Sequence, residues 1–246
     1  MNIFKMIGPA AWLISSLRFL TRYKKGIEYN KKIGNYEEER KQIINALTTW
    51  GPKVSEHFDV DLRVEGLENI PEGPVLFVSN HQGYADIVAF CASVDNKQFG
   101  FVAKENLKKI PLYGPWIVRI RSILLERDDA RGAVKVINDG IKLLEEGFSL
   151  VIFPEGTRSL SEKTGQFKKG SLKLAIKAQV PIVPVTLSGS WKVFEEKGYI
   201  QKGTTVRFYA HPPIETKNLT KQEGNELPGK VENIVKSKLE EWHGSV

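Results

Sequence analysis

The chain has 246 residues, of which 41% are hydrophobic and 26% charged, and a formal net charge of +7. That is enough for one large domain or two small ones, and too ordinary a composition for wholesale disorder. The single Cys91 excludes an intramolecular disulfide and any cysteine-rich metal site, and within IVAFCASV it reads as a buried structural thiol.

The excess charge sits at the amino end. Residues 1–33 carry seven basic groups (Lys5, Arg18, Arg22, Lys24, Lys25, Lys31 and Lys32) against one acid, Glu28, a local net of +6. A basic end suits an anionic partner, and nucleic acid and anionic lipid are the two candidates. The uncharged stretch between Lys5 and Arg18, with Phe4, Trp12, Phe19 and Leu20 around it, favours lipid. Twelve residues fall short of the ~20 needed to span a bilayer. An interfacial helix needs no such length, and Trp with flanking cations suits the headgroup boundary. A signal peptide is the rival reading, but no small-x-small cleavage site follows the run. A helix packed on the body of the protein is the other.

From Tyr36 to Phe58, Ile43, Ile44, Leu47, Trp50, Val54 and Phe58 recur at helical spacing. Residues 1–58 therefore read as two amphipathic helices on a membrane surface, and 59–246 as a separate domain. There the texture changes to LRVEG, PVLFVSN, FGFVA, SILLER, FSLVIFPEG, PIVPVTLSG and TVRFYA as strands, with helices over 84–94, 129–146, 168–178 and 229–242. Strands alternating with helices predict an α/β fold whose central sheet is largely parallel and flanked by helices. KNLTKQEGNELPGK (217–230) reads as a surface loop.

Two apolar strands end abruptly in polar residues: GPVLFVSNH at His81 and GFSLVIFPEGTR at Glu155–Arg158. If they run parallel, both motifs emerge on the sheet edge where open α/β sheets bind ligands. His81 and Asp86 are five apart, about 500° on an ideal helix, so they meet only if part of the interval is non-helical. Gly83 supplies freedom for that bend. Asp86, in the first turn of the next helix, would accept from His81 Nδ1–H and leave Nε2 as a base. On its own, H-x-x-x-x-D is better explained as a capping Asp beside a surface His. FPEGTRS adds Arg158, suited to a bidentate grip on phosphate, and Glu155, placed to orient Arg158 or to accept from a substrate hydroxyl. Lys104 and Arg127 sit near predicted strand ends.

Asn80-His81 through Asp86, IPLYG with LLER, FPEGTRS with FKKG, and VPIVPV occur together and in this order. Over residues 62–212 the chain resembles the glycerophospholipid acyltransferases, most closely the 1-acylglycerol-3-phosphate acyltransferases. The resemblance implies His81 as catalytic base with Asp86 as its orienting partner. It implies that Lys104, Arg127, Glu155, Gly156 and Arg158 hold a phosphorylated acceptor, and that Pro181 and Pro184 shape the site and the acyl-donor region. It further implies an acyl thioester co-substrate (acyl-CoA or acyl carrier protein), lysophosphatidate as acceptor, no cofactor, no metal, and attachment to the cytoplasmic face of a membrane. Two positions depart from the pattern: Gly83 stands where serine is common, and Leu160 where many relatives place Arg.

Other chemistries fit poorly. G-x-S-x-G is absent, and LSGSW lacks its second glycine. GQFKKGS lacks the lysine of a P-loop. His57, His81, His211 and His243 have no metal-ligand spacing, and His211 reads as a strand-end residue. The open alternatives are glycerol 3-phosphate or another lysophospholipid as acceptor, and a non-catalytic protein that binds anionic lipid or nucleic acid.

Overall fold

The computed structural model describes residues 4–125 and 130–244. Helix α1 (Phe4–Ser16), a 3-10 turn, α2 (Thr21–Ile33) and α3 (Tyr36–His57) come first. Then follow β1 (Val60–Glu65), β2 (Leu76–Ser79), α4 (Ala85–Ser93), β3 (Phe99–Lys104), α5 (Tyr113–Arg119) and β4 (Ile123–Leu125). The rest comprises α6 (Ala130–Glu145), β5 (Ser149–Ile152), α7 (Lys173–Ala178), β6 (Ile182–Ser188), β7 (Thr204–Ala210) and α8 (Lys221–Gly244).

The described strands form one sheet in the order β1-β7-β6-β2-β5-β3-β4. From β6 through β4 every pairing is parallel; β7 turns antiparallel against β6 and carries β1 parallel to itself. Alternation along each strand divides the interior. Phe77 of β2 and Val151 of β5 face the side covered by α3 and α4, while Leu76, Val78, Leu150 and Ile152 face α6, α7 and α8. The result is a sheet between two helical layers, and the fully buried β2 and β5 are apolar apart from Ser79 and Ser149 because both of their faces are covered.

This connectivity makes the cleft. The chain leaves β2 for α4 on one face of the sheet, and leaves β5 for α7 on the other. Adjacent parallel strands whose connections diverge in this way open a crevice at their carboxyl ends.

The amino-terminal region has three helices rather than two, since residues 21–33 form a helix of their own. Trp12 is spent internally: its ring stacks on His57 at 3.5 Å and meets Phe58 edge-on. Leu17, Leu20, Ile27, Ile43, Leu47 and Val54 belong to the same apolar cluster as Phe77 and Phe90, so α2 and α3 close one face of the sheet. The outer side stays polar and aromatic, with Arg18, Arg22, Lys24, Lys25, Lys31, Lys32, Phe19, Tyr29 and Ile33 exposed. No described helix is long and apolar enough to cross a membrane.

The expected 217–230 loop is mostly helix, because α8 starts at Lys221 and includes Pro228. The reason is a capping box: Thr220 Oγ1 accepts from Glu223 N at 3.2 Å, and Glu223 Oε2 accepts from Thr220 N at 2.8 Å. The helix expected over 168–178 is confined to 173–178.

One buried ion pair ties α3 to the loop before β4. Arg121 donates from Nε to Glu39 Oε1 and from Nη2 to Oε2, both at 2.6 Å, with its guanidinium over the Phe148 ring. Glu39 is fully buried. Without Glu39, Arg121 would keep only the more distant Glu146 carboxylate, 3.9 Å from Nη1, among the described residues, and breaking such a buried pair costs about 3–5 kcal/mol. Glu39→Gln should therefore lower Tm by roughly 10 °C in a thermal melt; an unchanged Tm would contradict the bond's structural role.

Candidate active site

The crevice at the ends of β2 and β5 is built around the segment that follows β2. Asn80 is buried and acts as an extra rung of the sheet: its Nδ2 donates to Leu187 O (2.8 Å) and its Oδ1 accepts from Leu187 N (2.9 Å). That hold fixes where residue 81 begins. The chain then runs through 81–84 with neither helix nor strand before α4 starts at Ala85.

Four consecutive backbone N–H groups of these residues are taken by three carboxylates. His81 N donates to Glu155 Oε1 at 2.7 Å. Gln82 N and Gly83 N both donate to Asp86 Oδ2, at 2.8 and 3.0 Å. Tyr84 N donates to Glu195 Oε1 at 2.7 Å. Asp86, 0% exposed, also receives His81 Nδ1 on Oδ2 at 2.6 Å and the Ser190 hydroxyl on Oδ1. Asp86 thus sits in the first turn of α4 and within reach of His81, with the interval non-helical as the five-residue spacing requires.

The imidazole is held on two sides. Its Nδ1 faces Asp86, and its plane stacks on Phe153 with centroids 4.1 Å apart. Its side chain is a fifth exposed, and Nε2 is the ring nitrogen that Asp86 leaves unused. The four engaged amides are not available as oxyanion donors.

Gly83 plays a different part from the one its sequence context suggests. Its φ is not left-handed. What the position needs is room: a Cβ there would lie 2.5 Å from Glu195 Oε2.

The FPEGTRS segment is stitched to the same stretch. Ser159 N donates to His81 O at 2.8 Å and Leu160 N to Gln82 O at 3.1 Å, which places Arg158 beside the histidine. Glu155 does not orient Arg158. It is buried, with Oε1 on His81 N and Oε2 on Gly165 N (2.7 Å), and burial raises its carboxyl above the usual range. Arg158 instead donates from Nη1 to Glu195 Oε1 at 3.0 Å and stacks 3.7 Å above the Tyr84 ring. Gly156 turns the loop at φ +73°, a conformation that favours glycine, and the Lys168 amine lies against it.

The other predicted residues are placed unevenly. Lys104 ends β3 on the same sheet edge, exposed and two strands from β2. Arg127 lies outside the described residues. Pro181 and Pro184 are not brought to the cleft: Pro181 precedes β6, Pro184 is its third residue, and the cleft lies at its far end. Pro184 lies opposite Val78 of β2 and accepts through its carbonyl from His211 N at 2.9 Å. His211 hydrogen-bonds Thr186, and burial pushes its imidazole down to about 4, so it packs as a neutral ring. Burial also pushes the Cys91 thiol up, leaving it inert.

Ser190, Glu195 and Phe153 are the participants that sequence reasoning missed. Ser190 was within reach, since LSGSW closes a third apolar strand that ends on this edge. Nothing local marks Glu195.

Comparison with known proteins gives one consistent picture. A family model described as Acyltransferase matches residues 61–188. A chloroplast 1-acyl-sn-glycerol-3-phosphate acyltransferase of Arabidopsis thaliana is 37% identical over 62% of this chain, a match that spans 43% of that longer protein. A 1-acyl-sn-glycerol-3-phosphate acyltransferase of Borreliella burgdorferi is 32% identical over 74% of this chain and 72% of its own. The crystal structure of the 1-acyl-sn-glycerophosphate acyltransferase PlsC from Thermotoga maritima superposes with a TM-score of 0.76 at 29% identity, covering 95% of each chain.

Proposed function

The chain belongs to the acyltransferase family, and we propose that it transfers an acyl chain from a thioester to the free sn-2 hydroxyl of 1-acylglycerol 3-phosphate, forming phosphatidate. One observation carries this reading: an imidazole fixed by a buried carboxylate lies on the same strand of contacts as a guanidinium, with Ser159 bonded to His81 and Arg158 next to it. The names of the relatives supply the acceptor.

The acceptor hydroxyl is a poor nucleophile at neutral pH. Asp86 holds the proton of His81 on Nδ1, so Nε2 is a lone-pair base. As the hydroxyl oxygen attacks the thioester carbonyl, its proton passes to Nε2; the C–O bond forms, the C–S bond breaks, and the imidazolium returns the proton to the departing thiolate. General-base assistance of this kind accelerates a step by typically ~10²–10⁴-fold. Arg158 grips the acceptor phosphate and so fixes the hydroxyl at the base, with Lys104 adding positive potential on the same edge. Glu155 acts through the backbone, holding His81 N. The donor is acyl-CoA or acyl carrier protein, and the thiol chemistry is the same for both. The exposed cations and aromatics of α2 and the turn before it lie against the membrane that holds acceptor and product.

His81→Ala should lower kcat by at least ~10²-fold in a thiol-release assay with lysophosphatidate, while the acceptor still binds; turnover within a few fold of wild type would refute the general base. Reversing Lys24, Lys25, Lys31 and Lys32 to Glu should abolish co-sedimentation with anionic vesicles, and undiminished sedimentation would refute the membrane-facing surface.

A further inference from the structure

Glu195 is an unusual neighbour for a phosphate-binding arginine. Its side chain is only 6% exposed, yet among the described residues the one cation bonded to it is Arg158, which shares Oε1 with the Tyr84 amide, while its own backbone N–H also supports the carboxylate. Its Oε2 is buried without a hydrogen-bond donor from any other described residue. Burial raises its carboxyl above the usual range, against the lowering effect of the Tyr84 amide, its own amide and Arg158. The carboxylate also occupies the space that a side chain at position 83 would fill. Gly83 and Glu195 are therefore linked: a residue with a Cβ at 83 would force the carboxylate to shift from this position.

We propose that Glu195 is a built-in counter-anion for Arg158 and a specificity-determining residue that sets how tightly the acceptor phosphate is held. The inference rests on the reading that Arg158 grips that phosphate. Among the described residues only Nη1 of Arg158 donates a hydrogen bond, and the side chain is partly exposed, which leaves donors for an incoming anion while Tyr84 and Glu195 hold the plane still. Pre-orientation favours binding. The carboxylate opposes it, because the phosphate must share the guanidinium with a fixed negative charge from which water is largely excluded. The same side chain thus sharpens geometry and limits affinity, which suits an enzyme whose product carries the same phosphate and must leave.

Glu195→Gln separates the two effects. The amide keeps an oxygen for Tyr84 N and Arg158, and loses the charge. The KM for lysophosphatidate and the competitive inhibition constants of inorganic phosphate and of monoacylglycerol, the phosphate-free analogue, are measured for wild type, Glu195→Gln and Arg158→Ala. Glu195→Gln should tighten lysophosphatidate and inorganic phosphate by roughly tenfold relative to monoacylglycerol, the size of one charged hydrogen bond. These constants do not depend on the fraction of enzyme folded, so partial loss of protein leaves the result readable. Glu195→Ala, which also drops the brace, should tighten phosphate less than Glu195→Gln does. Equal or weaker phosphate affinity in Glu195→Gln would overturn the counter-anion and leave a purely structural brace. Arg158→Ala should weaken lysophosphatidate more than ten times as much as monoacylglycerol. If it weakens both alike, the phosphate grip itself fails and the counter-anion with it; if it discriminates and Glu195→Gln does not tighten, only the counter-anion fails.

Discussion

Four successive backbone N–H groups, at residues 81 to 84, are held by three buried or nearly buried carboxylates: Glu155, Asp86 and Glu195. The rest of the site depends on this arrangement. A chain leaving a central parallel strand for a helix on one face passes through the interior without ladder or helix partners, and an unpaired amide there costs about 1–3 kcal/mol. The carboxylates replace the missing acceptors. Each comes from a different place, Asp86 from α4, Glu155 from the loop after β5, Glu195 from the loop after β6. Satisfying the amides therefore also draws the two loops onto the histidine segment.

Asp86 serves two ends with one group. Its Oδ2 closes the turn at Gln82 and Gly83 and faces His81 Nδ1, while Ser190 secures Oδ1. A base oriented this way inherits the rigidity of the sheet, because Asn80 just before it is bonded to β6 on both sides of its amide. Burying acids has a cost, visible in the raised carboxyls of Glu155 and Glu195, and it is offset by amide dipoles and one guanidinium rather than by salt bridges throughout.

Much of this was legible in the sequence, and the exceptions have physical causes. Apolar runs covered on both faces identified β2 and β5, and their polar ends located the crevice. The His81–Asp86 spacing required a non-helical interval, which is present. Gly83 read as a hinge because glycine usually signals backbone freedom; its purpose is to leave room for a carboxylate 112 positions away, which no local pattern reveals. In sequence Glu155 reads as orienting Arg158 or accepting from a substrate hydroxyl, but burial and the amide of His81, 74 residues distant, decide its direction. The start of α8 was missed for the opposite reason, since its Thr220–Glu223 capping box was in plain view and glycines and Pro228 masked it. At the amino end, the sequence makes Trp12 an interfacial anchor, but it stacks on His57, and the outward-facing groups are Phe19, Tyr29, Ile33 and the cations.

Amide hydrogen exchange at residues 81–84, resolved by NMR, tests the three-carboxylate hold most directly. These amides lie outside every helix and strand, yet they should exchange as slowly as those of β2. Exchange at the rate of an unstructured peptide would contradict the account, since the segment carrying His81 would then lack the hold that orients it.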